Sequence, residues 1–246
     1  MLFDQAEYDL RCEWGLPGLL CLARISDAVV VVDVLSFSTA VDCIAARGAF
    51  ALPYPCRDDS AARYAENKCA VLASPQRSHD TYSLSPSSVR NIAAGTLLVL
   101  PSPNGSALSF SSHHARTFTA CLRNAPAVAA SLTGSALSVA VIPAGEQWDD
   151  GTLRPCLEDW IGAGAVLSLL PGRRSPEAEL AVAAFERFCG DLAGALSHCG
   201  SGKELIERGF GCDVRLASEY GVSSAVPLLS GDRFVDYINC SSSEIR

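Results

Sequence analysis

Asp33 stands at the end of an apolar run, in the stretch VVVVDVLSFSTA (29–40), and is followed at once by Ser36, Ser38 and Thr39. A carboxylate at a strand end, with hydroxyls where a helix begins, suits a metal ion beside a phosphate. The free N–H groups and the positive dipole end of a helix attract an anion. Mg²⁺ prefers oxygen donors and retains phosphate among them. The same residues serve equally well as a turn carboxylate (Asp33) and a helix N-cap (Ser36). A second stretch, LPSPNGSALSF (100–110), repeats the arrangement with Ser102, Asn104, Gly105 and Ser106. Asn-Gly permits the positive φ of a tight turn, so an ordinary strand-to-helix turn also accounts for it. A third, IPAGEQWDDGTLRPCLEDWIGAGA (142–165), ends a strand near Glu146 and opens a helix with Glu158 and Asp159. Acidic residues in a first helical turn are favourable for dipole reasons alone. If the strands are parallel, Asp33, Glu146 and Glu158 or Asp159 project from one edge of the sheet, where α/β proteins bind ligands.

The elements that must position these residues follow from the pattern. Short β-rich runs at 28–35, 49–55, 69–74, 96–100, 117–121 and 136–144 alternate with helical stretches at 37–48, 58–68, about 105–115 and about 123–133. The polar stretch 75–88 reads as a loop of active-site length. Beyond residue 150 the chain turns helical, at 157–170, 175–198 and 202–209, and β-character returns over 224–238. This alternation predicts a three-layer α/β/α fold with a mixed, mostly parallel sheet. The expectation is a single domain over 1–246, with the change of character near 150 as the one place for a subdivision.

Composition narrows the function. Nearly half of the 246 residues (49%) are hydrophobic and 19% are charged, so a packed core is expected. The net charge of −8 argues against a nucleic-acid binder. No apolar run is long enough to span a membrane, and the acidic N-terminus does not read as a signal peptide. The eleven cysteines are scattered singly, without a Cys-x-x-Cys pair. They are expected to be reduced thiols of a cytoplasmic protein, most of them small core residues. No histidine has metal spacing to a cysteine, and His113-His114 reads as a surface or cap pair. No Gly-x-Ser-x-Gly elbow or Walker lysine is present.

Taken together and in order, the three stretches resemble the 2-phosphosulfolactate phosphatases (the ComB family). The family opening, Val-Ile-Asp-Val-Leu-Arg-Ala-Ser/Thr-Thr, corresponds to VVDVLSFST. Thr-Thr-Asn-Gly-Thr corresponds to PSPNGS, and Ala-Gly followed by Glu-Asp-x-x-x-Ala-Gly-Ala to PAGE…LEDWIGAGA. A fourth feature, Gly-x-x-x-Asp-Val and then Val-Pro, lies within SGKELIERGFGCDVRLASEYGVSSAVPLL. The resemblance spans roughly 28–230. It implies Mg²⁺-dependent hydrolysis of a small anionic phosphate monoester, 2-phospho-3-sulfolactate, to sulfolactate and phosphate. It implies Asp33, Glu146, Glu158 and Asp159 as the catalytic set, with Asp33 as the first metal ligand and Glu146 beside it. Glu146, Glu158 and Asp159 are unranked candidates for a second ligand or for the group that deprotonates the attacking water. Ser36, Ser38, Thr39, Asn104, Gly105 and Ser106 would then hold phosphate. A homodimer is compatible with this reading.

The chain departs from the pattern at three places. Ser36 stands where the family has arginine, Ser74-Pro75 where it has Gly-Glu, and TYSLSP where it has a longer Gly/Asn loop ending in Ser-Pro. Arg77, Arg90, Arg123 and Arg154 are candidates to replace the missing cation. Two expectations follow: a phosphatase with altered substrate preference, or a catalytically impaired homologue that binds an anion or a partner protein.

Overall fold

The computed structural model describes residues 3–112, 115–133 and 138–239. His113, His114 and Cys240 lie outside the described residues. The strands are β1 (Leu10–Cys12), β2 (Ala28–Val32), β3 (Phe50–Tyr54), β4 (Val71–Leu72), β5 (Leu97–Pro101), β6 (Arg116–Ala120), β7 (Val139–Pro143), β8 (Glu146–Gln147), β9 (Leu153–Arg154), β10 (Pro227–Ser230) and β11 (Arg233–Asp236). The helices are α1 (Gly15–Leu22), α2 (Phe37–Ala45), α3 (Asp59–Asn67), α4 (Pro86–Val89), α5 (Gly105–Ser111), α6 (Ala125–Leu132), α7 (Leu157–Leu167), α8 (Pro176–Phe188), α9 (Leu192–His198), α10 (Gly200–Glu207) and α11 (Gly211–Ala217).

β2 is AVVVV with every residue buried, as expected of a parallel strand covered on both faces. Nine strands form one sheet in the order β1-β7-β2-β6-β10-β11-β3-β5-β4, and β8 and β9 form a separate small hairpin. The sheet is the mixed, mostly parallel one of a three-layer α/β/α fold. It consists of two parallel blocks, β1-β7-β2-β6 and β3-β5-β4. The antiparallel hairpin β10-β11 joins them. Three antiparallel junctions in succession make the second block run opposite to the first. The carboxyl ends of β2 and β5 nonetheless meet: Gly105 N, just after β5, donates to Asp33 Oδ2, just after β2, at 2.9 Å.

The core has a large cluster around β2, β6, β7, α6, α7 and α8, and a second one around α2, β3, β5 and α4. Helices α7 and α8 approach closely at Gly164, where a Cβ would lie 1.9 Å from the Ala181 carbonyl oxygen. The chain beyond residue 150 packs on this same sheet and supplies its central hairpin.

The single helix expected over 175–198 is broken. A 3₁₀ turn, Cys189–Asp191, separates α8 from α9, and Asp191 caps α9 by accepting a hydrogen bond from Gly194 N at 2.8 Å. The strand expected at 69–74 contracts to Val71–Leu72, and α4 closes the loop 75–88. Strand β1, helix α1 and helix α11 are additional to the expected elements. All ten described cysteines are free. Five are buried (Cys12, Cys43, Cys121, Cys156 and Cys199), so only half are core residues. Among the described residues no helix is long and apolar enough to cross a membrane.

Candidate active site

Asp33 follows the last residue of β2, and its carboxylate reaches across to both helices that begin nearby. Oδ1 accepts a hydrogen bond from Phe37 N at 3.0 Å, and Oδ2 one from Gly105 N at 2.9 Å. Phe37 and Gly105 are the first residues of α2 and α5. Asp33 itself thus takes the anion position at both helix N-termini. Gly105 is required there: a Cβ would lie 2.4 Å from the Phe37 ring and 2.8 Å from Asp33 Oδ2.

The hydroxyls that follow Asp33 are turned into the fold. Ser38 Oγ accepts from Asp33 N at 2.9 Å and pairs with Thr119 Oγ1 at 2.6 Å. Thr39 Oγ1 donates to Val34 O, and Ser106 Oγ to Leu100 O. All three residues are fully buried. Of the expected phosphate-binding set, Ser36 and Asn104 line the cleft, Gly105 directs its N–H at Asp33, and Ser38, Thr39 and Ser106 serve the scaffold.

Asp33 lies at the base of a cleft of about 240 Å³. Glu146 enters the wall from β8, and its Oε2 accepts from Asn104 Nδ2 at 2.8 Å. The adjacent pair Asn104-Gly105 therefore touches Glu146 through one residue and Asp33 through the next. Four arginines, Arg57, Arg77, Arg154 and Arg208, line the same cleft, and Glu204 adds one further carboxylate. The cleft is rich in arginine in a chain of net charge −8, and two of the four arginines are already paired, Arg77 with Asp213 and Arg208 with Glu204.

Arg77 is the best anchored of the four. Its Nη1 donates to Asp213 Oδ2 at 2.6 Å and its Nη2 to Ser36 Oγ at 2.8 Å. Its guanidinium also lies 5.5 Å from the centre of the Phe210 ring. Asp213 is fully buried and also accepts from Ser85 Oγ and from Ser87 N. Ser85 and Asp213, which lie in two of the stretches that carry the sequence resemblance, are thus bonded directly. Arg154 stands opposite Glu146 in the β8-β9 register, and its Nη2 donates to Ser201 Oγ at 3.3 Å. The other two candidate cations are elsewhere. Arg123 is engaged with Asp42 and Glu219, and Arg90 is exposed outside the cleft. Arg57 and Arg208 were not indicated by the sequence pattern.

Asp159 and Glu158 are buried behind the cleft wall. Asp159 Oδ1 accepts from Val34 N at 2.7 Å and Oδ2 from Gly145 N at 2.9 Å. It thereby locks the turn after β2 to the turn after β7, the two turns that carry Asp33 and Glu146. Burial pushes the Asp159 carboxyl well above the ordinary aspartate value, and the charges of Asp33 and Glu158 add to this. Burial likewise raises Asp33, to about 7, with the negative charge of Glu146 next in size and the Gly105 and Phe37 N–H groups opposing. Glu146 is raised by burial and restrained by Asn104 and Arg154.

The model for the 2-phosphosulpholactate phosphatase family matches residues 16–232. The chain belongs to this family. No curated protein matches it. The match begins in α1 and ends in the β10-β11 turn, so it includes both parallel blocks except β1, and every residue named above on the cleft wall.

Among the described residues no three His, Cys, Asp or Glu side chains form a group that could hold a metal ion. The donor set is instead two hard carboxylates, Asp33 and Glu146, in a cleft with room for a ligand. It is compatible with a cation such as Mg²⁺, which usually takes one or two carboxylates and leaves its other positions to phosphate and water. It is not a cage for a cation bound by protein alone.

Proposed function

We propose that the protein is a phosphoric monoester hydrolase acting on a small ester with more than one anionic group, the family reaction being conversion of 2-phospho-3-sulfolactate to sulfolactate and phosphate. The observation that carries this reading is the placement of Asp33 and Glu146 against Arg57, Arg77, Arg154 and Arg208 in one cleft. Water attacks phosphorus and the bond to the ester oxygen breaks. The hydroxyl of the water ends on phosphate and a proton on the released alcohol. Phosphoryl transfer of this kind needs mainly positioning and neutralisation of charge.

Asp33 and Glu146 would hold Mg²⁺, which when bound neutralises phosphate charge and polarises phosphorus. Arg77 binds a non-bridging or carboxylate oxygen beside Ser36, to which its Nη2 donates. The planar guanidinium suits two oxygens at once. Arg154 and Arg208 bind the remaining anionic groups from the α10 side. Asn104 fixes Glu146, and Asp159 sets the spacing of the two turns.

The test is phosphate release from a panel of phosphomonoesters, phosphosulfolactate included, with Mg²⁺ and with EDTA. Turnover that disappears with EDTA and in Asp33→Ala supports the reading. Folded protein without turnover on any ester would sink it and leave an anion-binding homologue.

A further inference from the structure

Next to the arginine-lined cleft lies a second hollow of about 280 Å³, between α1, α5 and the β8-β9 hairpin. Its walls are Leu16, Pro17, Ala107, Leu108, Ala144 and Leu153. Among the described residues no Arg, Lys or His lines it. The hollow is not a separate surface feature. Pro103, Asn104, Glu146 and Gln147 line both it and the cleft. The hydrogen-bonded pair Asn104–Glu146 is therefore a low sill between a compartment rich in guanidinium groups and one without a cation. The apolar side is shaped by close packing. Leu153 sits over Gly15 and Gly145, both with positive φ, and a Cβ at Gly145 would lie 2.8 Å from the Leu153 side chain.

We infer that this hollow is a subsite for an uncharged, apolar arm of the substrate, so that the ester hydrolysed is amphiphilic: its anionic groups lie in the arginine-lined cleft and a short alkyl or aryl arm lies across the Asn104–Glu146 sill. The inference rests on the phosphatase reading for the reaction, but not for the binding. A wholly anionic ligand gains nothing from Leu16, Ala107 and Leu153. An alkyl arm gains about fourfold in affinity for each methylene removed from water.

The experiment uses the full chain with Mg²⁺ and two series of probes, n-alkyl phosphates and the non-hydrolysable n-alkylphosphonates, each from methyl to hexyl. The expected result is that kcat/KM for the phosphates, and calorimetric affinity for the phosphonates, climb by about fourfold per methylene. Ala107→Phe, which fills the hollow, should lower the hexyl-to-methyl ratio at least tenfold, and Leu153→Asn should lower it in the same direction. Turnover with a flat chain-length series overturns the subsite and leaves the phosphatase reading standing. Phosphonate affinity that climbs with chain length in a protein without turnover on any ester upholds the subsite and overturns the phosphatase reading. A climbing series that neither variant flattens overturns the assignment to this hollow.

Discussion

The guanidinium of Arg77, from the loop after β4, donates a 2.8 Å hydrogen bond to Ser36 Oγ at the start of α2. A serine where the family motif has an arginine is thus met by an arginine from elsewhere in the chain. Arg77 places a planar cation at that wall. Arg77→Ala should raise KM for an anionic ester by more than tenfold, with a smaller change in kcat. Arg77→Lys should recover little, because an ammonium cannot hold Asp213 and Ser36 in the same fork. Steady-state kinetics on the three proteins checks this; equal KM values would remove Arg77 from the binding set.

Asp213→Asn leaves the positive charge of Arg77 buried without its counter-ion. Breaking one partner of a buried pair costs roughly 3–5 kcal/mol, against about 0–1 kcal/mol for an exposed pair. The Arg77 and Asp213 side chains are 9% and 0% exposed, which places them in the first group. Chemical denaturation of Asp213→Asn should show a loss of about 3 kcal/mol. The exposed Arg208–Glu204 pair should tolerate Glu204→Gln with almost no change in stability.

Burial raises the Asp33 carboxyl of the folded chain from its ordinary 3.8 to about 7. The folded chain holds this proton across the window from about 4 to about 7, where the unfolded chain has already released it. Stability attributable to Asp33 therefore declines as pH rises through that window and is level above it. A divalent cation competes with the proton for the same oxygens. Addition of Mg²⁺ should raise the melting temperature more at pH 8 than at pH 6, and Asp33→Ala should abolish the difference. A Mg²⁺ effect of equal size at both pH values would remove Asp33 as the ligand.

Ser38→Ala separates two roles for one hydroxyl. As a phosphate ligand it would raise KM. As the buried partner of Asp33 N and Thr119, its loss should cost about 1–3 kcal/mol of stability and leave KM unchanged. Thermal denaturation together with kinetics distinguishes them, and the second outcome is expected.

Two glycines contrast in the same way. Gly105→Ala pushes a methyl group against Phe37 and Asp33 Oδ2, and Gly164→Ala pushes one against the Ala181 carbonyl between α7 and α8. Both should destabilise, by about 1–3 kcal/mol or more. Only Gly105→Ala should also weaken the Mg²⁺-dependent thermal shift, since only Gly105 touches the candidate ligand.

The fold was legible where periodicity and length were strong. The strand AVVVV, the paired strand-turn-helix stretches and the late β-character all appear in the structure near their expected places. What could not be read was direction. Nothing in PLLSGDRFVD (227–236) indicates that this hairpin enters the middle of the sheet and reverses one block against the other, because pairing partners are set by tertiary packing. The position of Asp33 was legible as a carboxylate at a strand end, and so was its neighbourhood with Asn104-Gly105 and Glu146. The assignment of the adjacent hydroxyls to phosphate was not, because Ser38, Thr39 and Ser106 have a choice of backbone partners that a sequence does not reveal. Arg57 and Arg208 escaped notice for a related reason: solitary arginines near a loop or a helix end carry no spacing signal, and only the folding of two distant segments brings them to one wall.

The hairpin that joins the two blocks has a consequence for the order of assembly. Asp33 and Gly105 belong to blocks whose sheets become continuous only through residues 227–236. During synthesis both residues emerge long before those strands exist. Each block then presents an unpaired edge, β6 on one side and β3 on the other, and exposed edges of this kind invite wrong partners. The cleft is therefore among the last parts of the molecule to be finished, and a nascent chain carries all of its candidate ligands well before it can bring them together.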